Sequence, residues 1–371
     1  MCGRDTAAIF KWLLGDVVCN HFEESTLLDW EKRHRVLLYP FIRIHDQTYF
    51  SADFLNRCRA NYLRNYNRVV QVEYFFQKFN EFLSAHSMHA FILKGVPVAE
   101  NYYPDKFNRH SRDVDVLVEQ HQLNVVAAWL KSEGFHLDSD YFLYNKKQQD
   151  IFLTSNHHVC FYGTNAAHPS IIELHWKLRS NDDICNINPF EKDYTRLKTS
   201  YDHLYTLNHI DQFIYLCVHG TEHGWYRLKW LLDLPFISKK INLDWQNMKI
   251  RANELNALEH VKISLCLIHH FTGKTLIPGA EVESFENDIK IKVSKIVSRI
   301  NQPAMIETGY MVAFRQIRFL SSFNNRKWKL SFWLKWWMSP ADWKCFPLPN
   351  QLFSLYYLLR PVFWLIRKSF Q

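Results

Sequence analysis

The chain has 371 residues, 47% hydrophobic and 16% aromatic, which is enough apolar mass for two or more domains and excludes a disordered polypeptide. A net charge of +8 fits an anionic partner such as a nucleotide, a nucleic acid or a membrane surface, and equally fits plain solubility. Only 10 glycines and 12 prolines argue against repeats and long low-complexity linkers. The 8 cysteines form no C-x-x-C pair, which argues against finger-type metal sites and a disulfide framework and points to reduced thiols in the cytoplasm.

The opening MCGRDTAAIFKWLLGDVV lacks a basic segment and a small-residue cleavage site, so no signal peptide is expected. It also lacks the strand and glycines that an N-terminal cysteine nucleophile needs. Apolar residues recur every three or four positions from 5 to 86, which predicts helices. AFILK (90–94) reads as a short buried strand turning at Lys94-Gly95, and VPVAENYY as a short helix. DVDVLV (113–118) reads as a strand. EQHQLNVVAAWLKSEGF (119–135) reads as a helix closed by Gly134. HHVCFYG (157–163) and IIELHWKL (171–178) are two further strands. Helical periodicity returns at 208–236, 245–271 and 282–300, and aromatic-rich helices follow. The expected fold is α+β. A helical region (1–88) precedes a small mixed-sheet core (89–200), and a large helical region (201–371) follows it.

Residues i and i+2 of a strand share a face, so Asp113 and Asp115 project together, roughly 7 Å apart. Val114, Val116 and Val118 face the other way, into a core. Paired carboxylates are costly without compensating cations, and magnesium, which prefers carboxylate and phosphate oxygens, supplies such compensation. Alternatively, Arg109 and Arg112 neutralise a solvated strand end. The strand at 171–178 repeats the device, with Glu173 and His175 on one face and Ile172, Leu174 and Trp176 on the other. Upstream, Lys94 and Gly95 stand where a strand turns into a helix, a place suited to phosphate.

This order resembles the DNA polymerase beta-type nucleotidyltransferase superfamily, and more closely the bacterial "uncharacterised nucleotidyltransferase" family. The likeness rests on Leu93-Lys94-Gly95, Arg109, Asp113-Val114-Asp115 and Glu173-Leu174-His175-Trp176. It extends through His219, His223, Arg227-Leu228, Trp230-Leu231 and Asp233 to SPADW (339–343) and LPNQLFSLYYLLRP (348–361). The resemblance implies transfer of a nucleoside monophosphate from an NTP, such as ATP, to an unidentified hydroxyl, phosphate or side-chain acceptor, with release of pyrophosphate. It implies that Asp113, Asp115 and Glu173 are catalytic and hold Mg²⁺ (or Mn²⁺), with Glu173 helping to deprotonate the acceptor. Lys94 and Gly95 would hold the triphosphate, and Arg109 or Arg112 the leaving pyrophosphate. Ser111, His175, His219, His223, Arg227 and Asp233 complete the nucleotide-binding set. The chain departs from many superfamily members, which have Gly-Ser at the turn where Lys94-Gly95 stands.

Two alternatives stand beside this reading. The missing serine suits a catalytically silent nucleotide-binding or regulatory protein of the same fold. His219, Glu222 and His223 also form H-x-x-E-H, the inverted zinc-peptidase pattern, for which Glu254, Glu259 and Glu281 are candidate third ligands. Finally, RKWKLSFWLKWWMSPADWKCF (326–346) mixes basic residues with tryptophan, which suits packing on the helices, peripheral contact with an anionic membrane, or single-stranded nucleic acid. No uncharged apolar run is long enough for a transmembrane span, so the expected location is cytoplasmic, with peripheral membrane association left open.

Overall fold

Two hydrophobic clusters lie on opposite faces of one seven-stranded sheet, and the alternation within its strands decides which side chain joins which cluster. The structure is a computed structural model. It describes residues 2–16, 22–43, 47–137, 145–164, 169–179, 183–301 and 340–369.

The N-terminal region is helical: α1 (Cys2–Leu13), α2 (Glu24–His34), α3 (Tyr39–Ile42) and the 34-residue α4 (Ala52–Ala85). Ser51 caps α4, its side chain accepting from Phe54 N at 3.2 Å. Then follow β1 (Ala90–Ile92), α5 (Val96–Tyr102), β2 (Asp113–Leu117), α6 (Leu123–Ser132), β3 (Phe135–Leu137), α7 (Lys146–Ser155), β4 (His158–Gly163) and β5 (Ile171–His175). Gly134 closes α6 at φ 87°. A hairpin of β6 (Leu197–Lys198) and β7 (Leu204–Thr206) completes the sheet, so its last strand lies beyond residue 200.

The strand order is β3-β4-β5-β2-β1-β7-β6. β2 runs parallel to β5 and antiparallel to β1, while β4 is antiparallel to both β3 and β5. The fold is α+β with a mixed sheet. β3, α7, β6 and β7 are additions to the expected elements; the three strands are too short, and α7 too polar, to show a period.

One face of the central strands is apolar. Ile92, Val114, Val116, Val159, Phe161, Ile172 and Leu174 pack there against Val72, Phe75, Phe76 and Phe79 of α4 and Val126 and Leu130 of α6. On the other face, Phe91, Leu93 and Leu117 meet the C-terminal helices α8 (His209–Glu222), α9 (Leu228–Lys240), α10 (Trp245–Glu254), α11 (Leu258–Thr272) and α12 (Asn287–Ile300).

The expected helix at 208–236 is broken between α8 and α9, where Gly224 (φ 61°) and Trp225 (φ 53°) are left-handed. Trp225 tolerates that conformation because its ring lies against Gly220, where a Cβ would overlap it, and its Nε1 donates to Thr221 Oγ1 at 3.3 Å. The expected helix at 245–271 breaks likewise at Asn256 (φ 51°).

Residues 326–339 of the basic aromatic stretch lie outside the described residues. Beyond them, α13 (Pro340–Cys345) and α14 (Leu355–Ser369) place Trp343, Tyr356 and Phe363 in the core on the α4 side of the sheet. Among the described residues no helix is long and apolar enough to cross a membrane.

Candidate active site

The valines of β2 and the isoleucine and leucine of β5 are drawn into the α4 core, which turns the intervening polar residues to the face under α8. Asp115 stands directly opposite Glu173 across the parallel ladder, and Leu117 opposite His175. Asp113, Asp115, Glu173 and His175 therefore share one face. Lys94 reaches them from the end of β1. That strand end is held by Leu93 N donating to Asp115 O (3.0 Å) and by Gln212 Nε2 of α8 donating to Leu93 O (2.9 Å). Gly95 follows at φ 87°, a conformation that strains any L side chain, and opens α5.

Lys94 Nζ is 2.7 Å from Asp115 Oδ1 and 4.0 Å from Glu173 Oε2. His175 Nε2 is 3.5 Å from Asp115 Oδ1 and 3.4 Å from Glu173 Oε2. Asp115 is 1% exposed, yet its partners decide its charge. Burial pushes its carboxyl up, but Lys94 and His175 outweigh burial and hold it well below the usual carboxylate range. Glu173 moves the other way, raised by burial and by the neighbouring Asp115 charge. His175 is raised too: burial opposes its charge, and the two carboxylates outweigh burial. The pair thus holds one firmly ionised acid beside one that takes a proton more readily.

Hard oxygen donors on one face suit Mg²⁺. Ligand atoms of Asp115, Glu173 and His175 lie within 4.8 Å of one another. Asp113 Oδ1 is buried without a hydrogen-bond partner among the described residues, and Arg112 Nε stands 3.8 Å from it. An orphaned carboxylate oxygen beside this group fits a divalent cation.

Around Asp113 gathers a basic rim that the sequence reading only partly foresaw. Arg112 and Arg227 were expected; Arg35, Arg68 and Lys229 were not. Burial lowers the pKa of Arg35, Arg68 and Arg227, and neighbouring arginines lower each further, while Asp113 opposes the shift in all three. Lys229 of α9 is 8% exposed, and burial and then Arg109 bring its ammonium down to about 7. Arg35 itself is left-handed (φ 52°) at the end of α2. Clustered cations with one carboxylate among them make a field suited to a polyanion.

Arg109 and Asp233 contact each other. Arg109 Nε donates to Asp233 Oδ1 (2.7 Å) and Nη2 to Oδ2 (2.8 Å), and Tyr103 Oη adds a third bond to Oδ1 (2.7 Å). Both are buried, so they tie the loop before β2 to α9. Asn65, in the middle of α4, pins the same loop. Its Nδ2 donates to Phe107 O and Arg109 O (both 3.1 Å), and its Oδ1 accepts from Ser111 N (2.9 Å). Ser111 Oγ is buried without a hydrogen-bond partner among the described residues. A buried asparagine on a long helix was the one available signal for this clamp, and it is indistinct in a single sequence.

His219 and His223 pack tilted against each other at the end of α8, ring centroids 4.6 Å apart, with Trp230 5.0 and 5.2 Å from them. Burial pulls His219 well below its ordinary value and His223 to about 3. The described residues lend the zinc-peptidase alternative no support. Glu222 is ion-paired with Arg179, and among the described residues no group of three ligands includes either histidine. Gly220, inside the motif, is needed to seat Trp225. Arg227 lies over the Tyr226 ring, 4.8 Å from its centroid.

With this geometry in view, the comparison with known families decides the assignment. The model of the family described as uncharacterised nucleotidyltransferase matches residues 20–273. The chain belongs to that family. The matched span contains every residue of the carboxylate face and of the basic rim, so the family assignment and the site concern the same part of the molecule. No curated protein and no solved structure matches the chain.

Proposed function

We propose that this nucleotidyltransferase-family chain is an active, divalent-metal-dependent enzyme that moves a nucleoside monophosphate from an NTP such as ATP to an acceptor oxygen. The observation that carries this reading is Asp115 facing Glu173 across parallel strands, with Asp113 on the same face and a basic rim beside it. Asp113, Asp115 and Glu173 would hold Mg²⁺ or Mn²⁺, which supplies charge neutralisation at the reacting phosphate. Arg35, Arg68, Arg112, Arg227 and Lys229 bind the triphosphate and take the charge that develops on departing pyrophosphate. The acceptor oxygen bonds to the α-phosphorus as the bond from that phosphorus to pyrophosphate breaks. Glu173, whose carboxyl is raised, takes the acceptor proton. His175, 3.4 Å from Glu173 and 3.5 Å from Asp115, orients both acids.

One observation favours the silent-binder alternative: the Lys94 ammonium sits against Asp115 where a bound cation would have to compete with it. One experiment separates the two. The protein is incubated with labelled NTPs and Mg²⁺ or Mn²⁺, and pyrophosphate release and nucleotide transfer are followed beside nucleotide binding. Release that disappears in Asp115→Asn supports the enzyme. Binding without release under all four NTPs and both metals overturns it in favour of the silent protein.

A further inference from the structure

Beside the carboxylates the same sheet face carries His158 and His175, with His157 just before β4, three histidines that the transferase reading does not use as a set. We propose that His157, His158 and His175 form a zinc site, distinct in chemistry from the carboxylate pair. Their ligating nitrogens all lie within 4.8 Å of one another. The ring centroids are 4.3 Å (His157–His158), 5.4 Å (His157–His175) and 4.8 Å (His158–His175) apart.

The backbone holds this convergence. His158 and His175 are direct cross-strand partners of β4 and β5, so their rings leave the same face side by side. His157, one residue earlier, accepts at its carbonyl from Trp176 N (3.0 Å), which fixes the chain where the strand begins. The ladder sets His158 beside His175, and His157 joins them from the residue before the strand, so the sheet need not rearrange.

Three imidazoles are the wrong donors for magnesium and the right ones for zinc. A tetrahedral zinc with bonds of about 2.0–2.1 Å holds its nitrogens about 3.4 Å apart. Here His158 Nδ1 and His157 Nε2 are already 3.0 Å apart. The third ring, His175, closes by a side-chain movement that leaves the strands in place. The proton now shared by His157 and His158 moves to another ring nitrogen on binding, a change of tautomer with no net charge. His175 is 2% exposed, and neither of its ring nitrogens has a hydrogen-bond partner among the described residues, so a buried polar side chain in this cluster is left for a ligand.

Two nearby cations do not prevent binding. Arg179 is ion-paired with Glu222, and Lys94 with Asp115. Glu173 stands between the two sets. Its carboxylate groups with His158 and Cys160 on one side and with Asp115 and His175 on the other, which makes it a candidate fourth ligand. The inference does not rest on the transferase reading, because it is carried by imidazoles and its readout is binding.

The test uses the full chain, stripped of metal with a chelator and titrated with Zn²⁺ by calorimetry without nucleotide or Mg²⁺. One Zn²⁺ per chain is expected, retained against excess Mg²⁺, with tetrahedral visible absorption when Co²⁺ replaces it. His157→Ala and His158→Gln should each weaken binding by more than the roughly 100-fold that loss of an outer partner costs. Asp113→Asn should leave it unchanged. Absence of stoichiometric zinc overturns the proposal, as does binding unaffected by both histidine variants or lost instead in His219→Ala. Should a variant misfold, X-ray absorption of the wild-type zinc complex decides: three imidazole ligands sustain the site, and fewer overturn it.

Discussion

Asp115 and Glu173 face each other on parallel strands, and Lys94 Nζ lies 2.7 Å from the first and 4.0 Å from the second. One cation therefore serves two acids unequally: Lys94 helps to hold Asp115 ionised against burial, while burial and the Asp115 charge raise Glu173. A divalent ion arriving at this pair would change the balance, since it offers Asp115 a second positive partner and releases Lys94 toward an anionic substrate.

The first prediction concerns that pair. Asp113→Asn, Asp115→Asn and Glu173→Gln should each cut nucleotide transfer by at least about 10³-fold, equivalent to about 4 kcal/mol of transition-state stabilisation. Chelation should abolish transfer, and Mg²⁺ or Mn²⁺ should restore it. Pyrophosphate release measured with and without chelator checks both. Activity surviving in Asp115→Asn would mean that the chemistry lies elsewhere.

The second concerns Arg109 and Asp233. Their bidentate pair is 3% and 0% exposed at the two side chains, so removing one partner leaves a buried charge alone. Arg109→Leu should destabilise the protein by about 3–5 kcal/mol, and the double change Arg109→Leu/Asp233→Leu should recover part of that loss. Urea unfolding of the three variants measures it. A single variant of unaltered stability but poor nucleotide binding would return Arg109 to the nucleotide site.

These two cases mark what the sequence made legible. The acids could be found because a period of two on a short apolar strand is a local signal: Asp113, Asp115, Glu173 and His175 alternate with residues that must be buried. The basic rim could not be found this way. Arg35 (just past α2) and Arg68 (within α4) meet Asp113 only through tertiary packing, and such an arginine looks the same in sequence whether it faces solvent or a site. Arg109 and Asp233 are separated by 124 residues, and each alone resembles a ligand-contacting charge. His158 opens a strand that the sequence placed to within one residue, and His157 stands just before it. Their meaning depends on the register that sets His158 opposite His175, which one strand cannot reveal. The helix break at Gly224 and Trp225 was hidden because apolar periodicity runs straight through it.

The third prediction tests the reading of Gly220. A Cβ there would overlap the Trp225 ring, which is fully buried and held in a left-handed backbone. Gly220→Ala should cost about 1–3 kcal/mol through overpacking, seen as a lower thermal midpoint. Gly220→Ala combined with Trp225→Leu should lose less than the sum of the two single changes, because the same clash is then relieved. Additive losses would show that the glycine serves something other than the ring.

The last concerns Lys229, whose ammonium is buried among Arg109, Arg35, Asp113 and Asp233 and is brought down to about 7. In the unfolded chain a lysine releases its proton near 10.5. Below about 7 both states are protonated, and the cost of burying the charge is felt in full. Between about 7 and 10.5 the unfolded state binds more protons, so the contribution of Lys229 to stability rises with pH, by on the order of 4 kcal/mol across that window. Lys229→Met should flatten this part of the stability curve and leave the mutant more stable than wild type near neutral pH. A bound triphosphate favours the charged form, so nucleotide binding should take up a proton at pH 8, and affinity should increase as pH falls toward 7. Calorimetry in buffers of different ionisation enthalpy counts that proton. Proton uptake that persists in Lys229→Met would assign the titration to another group of the rim.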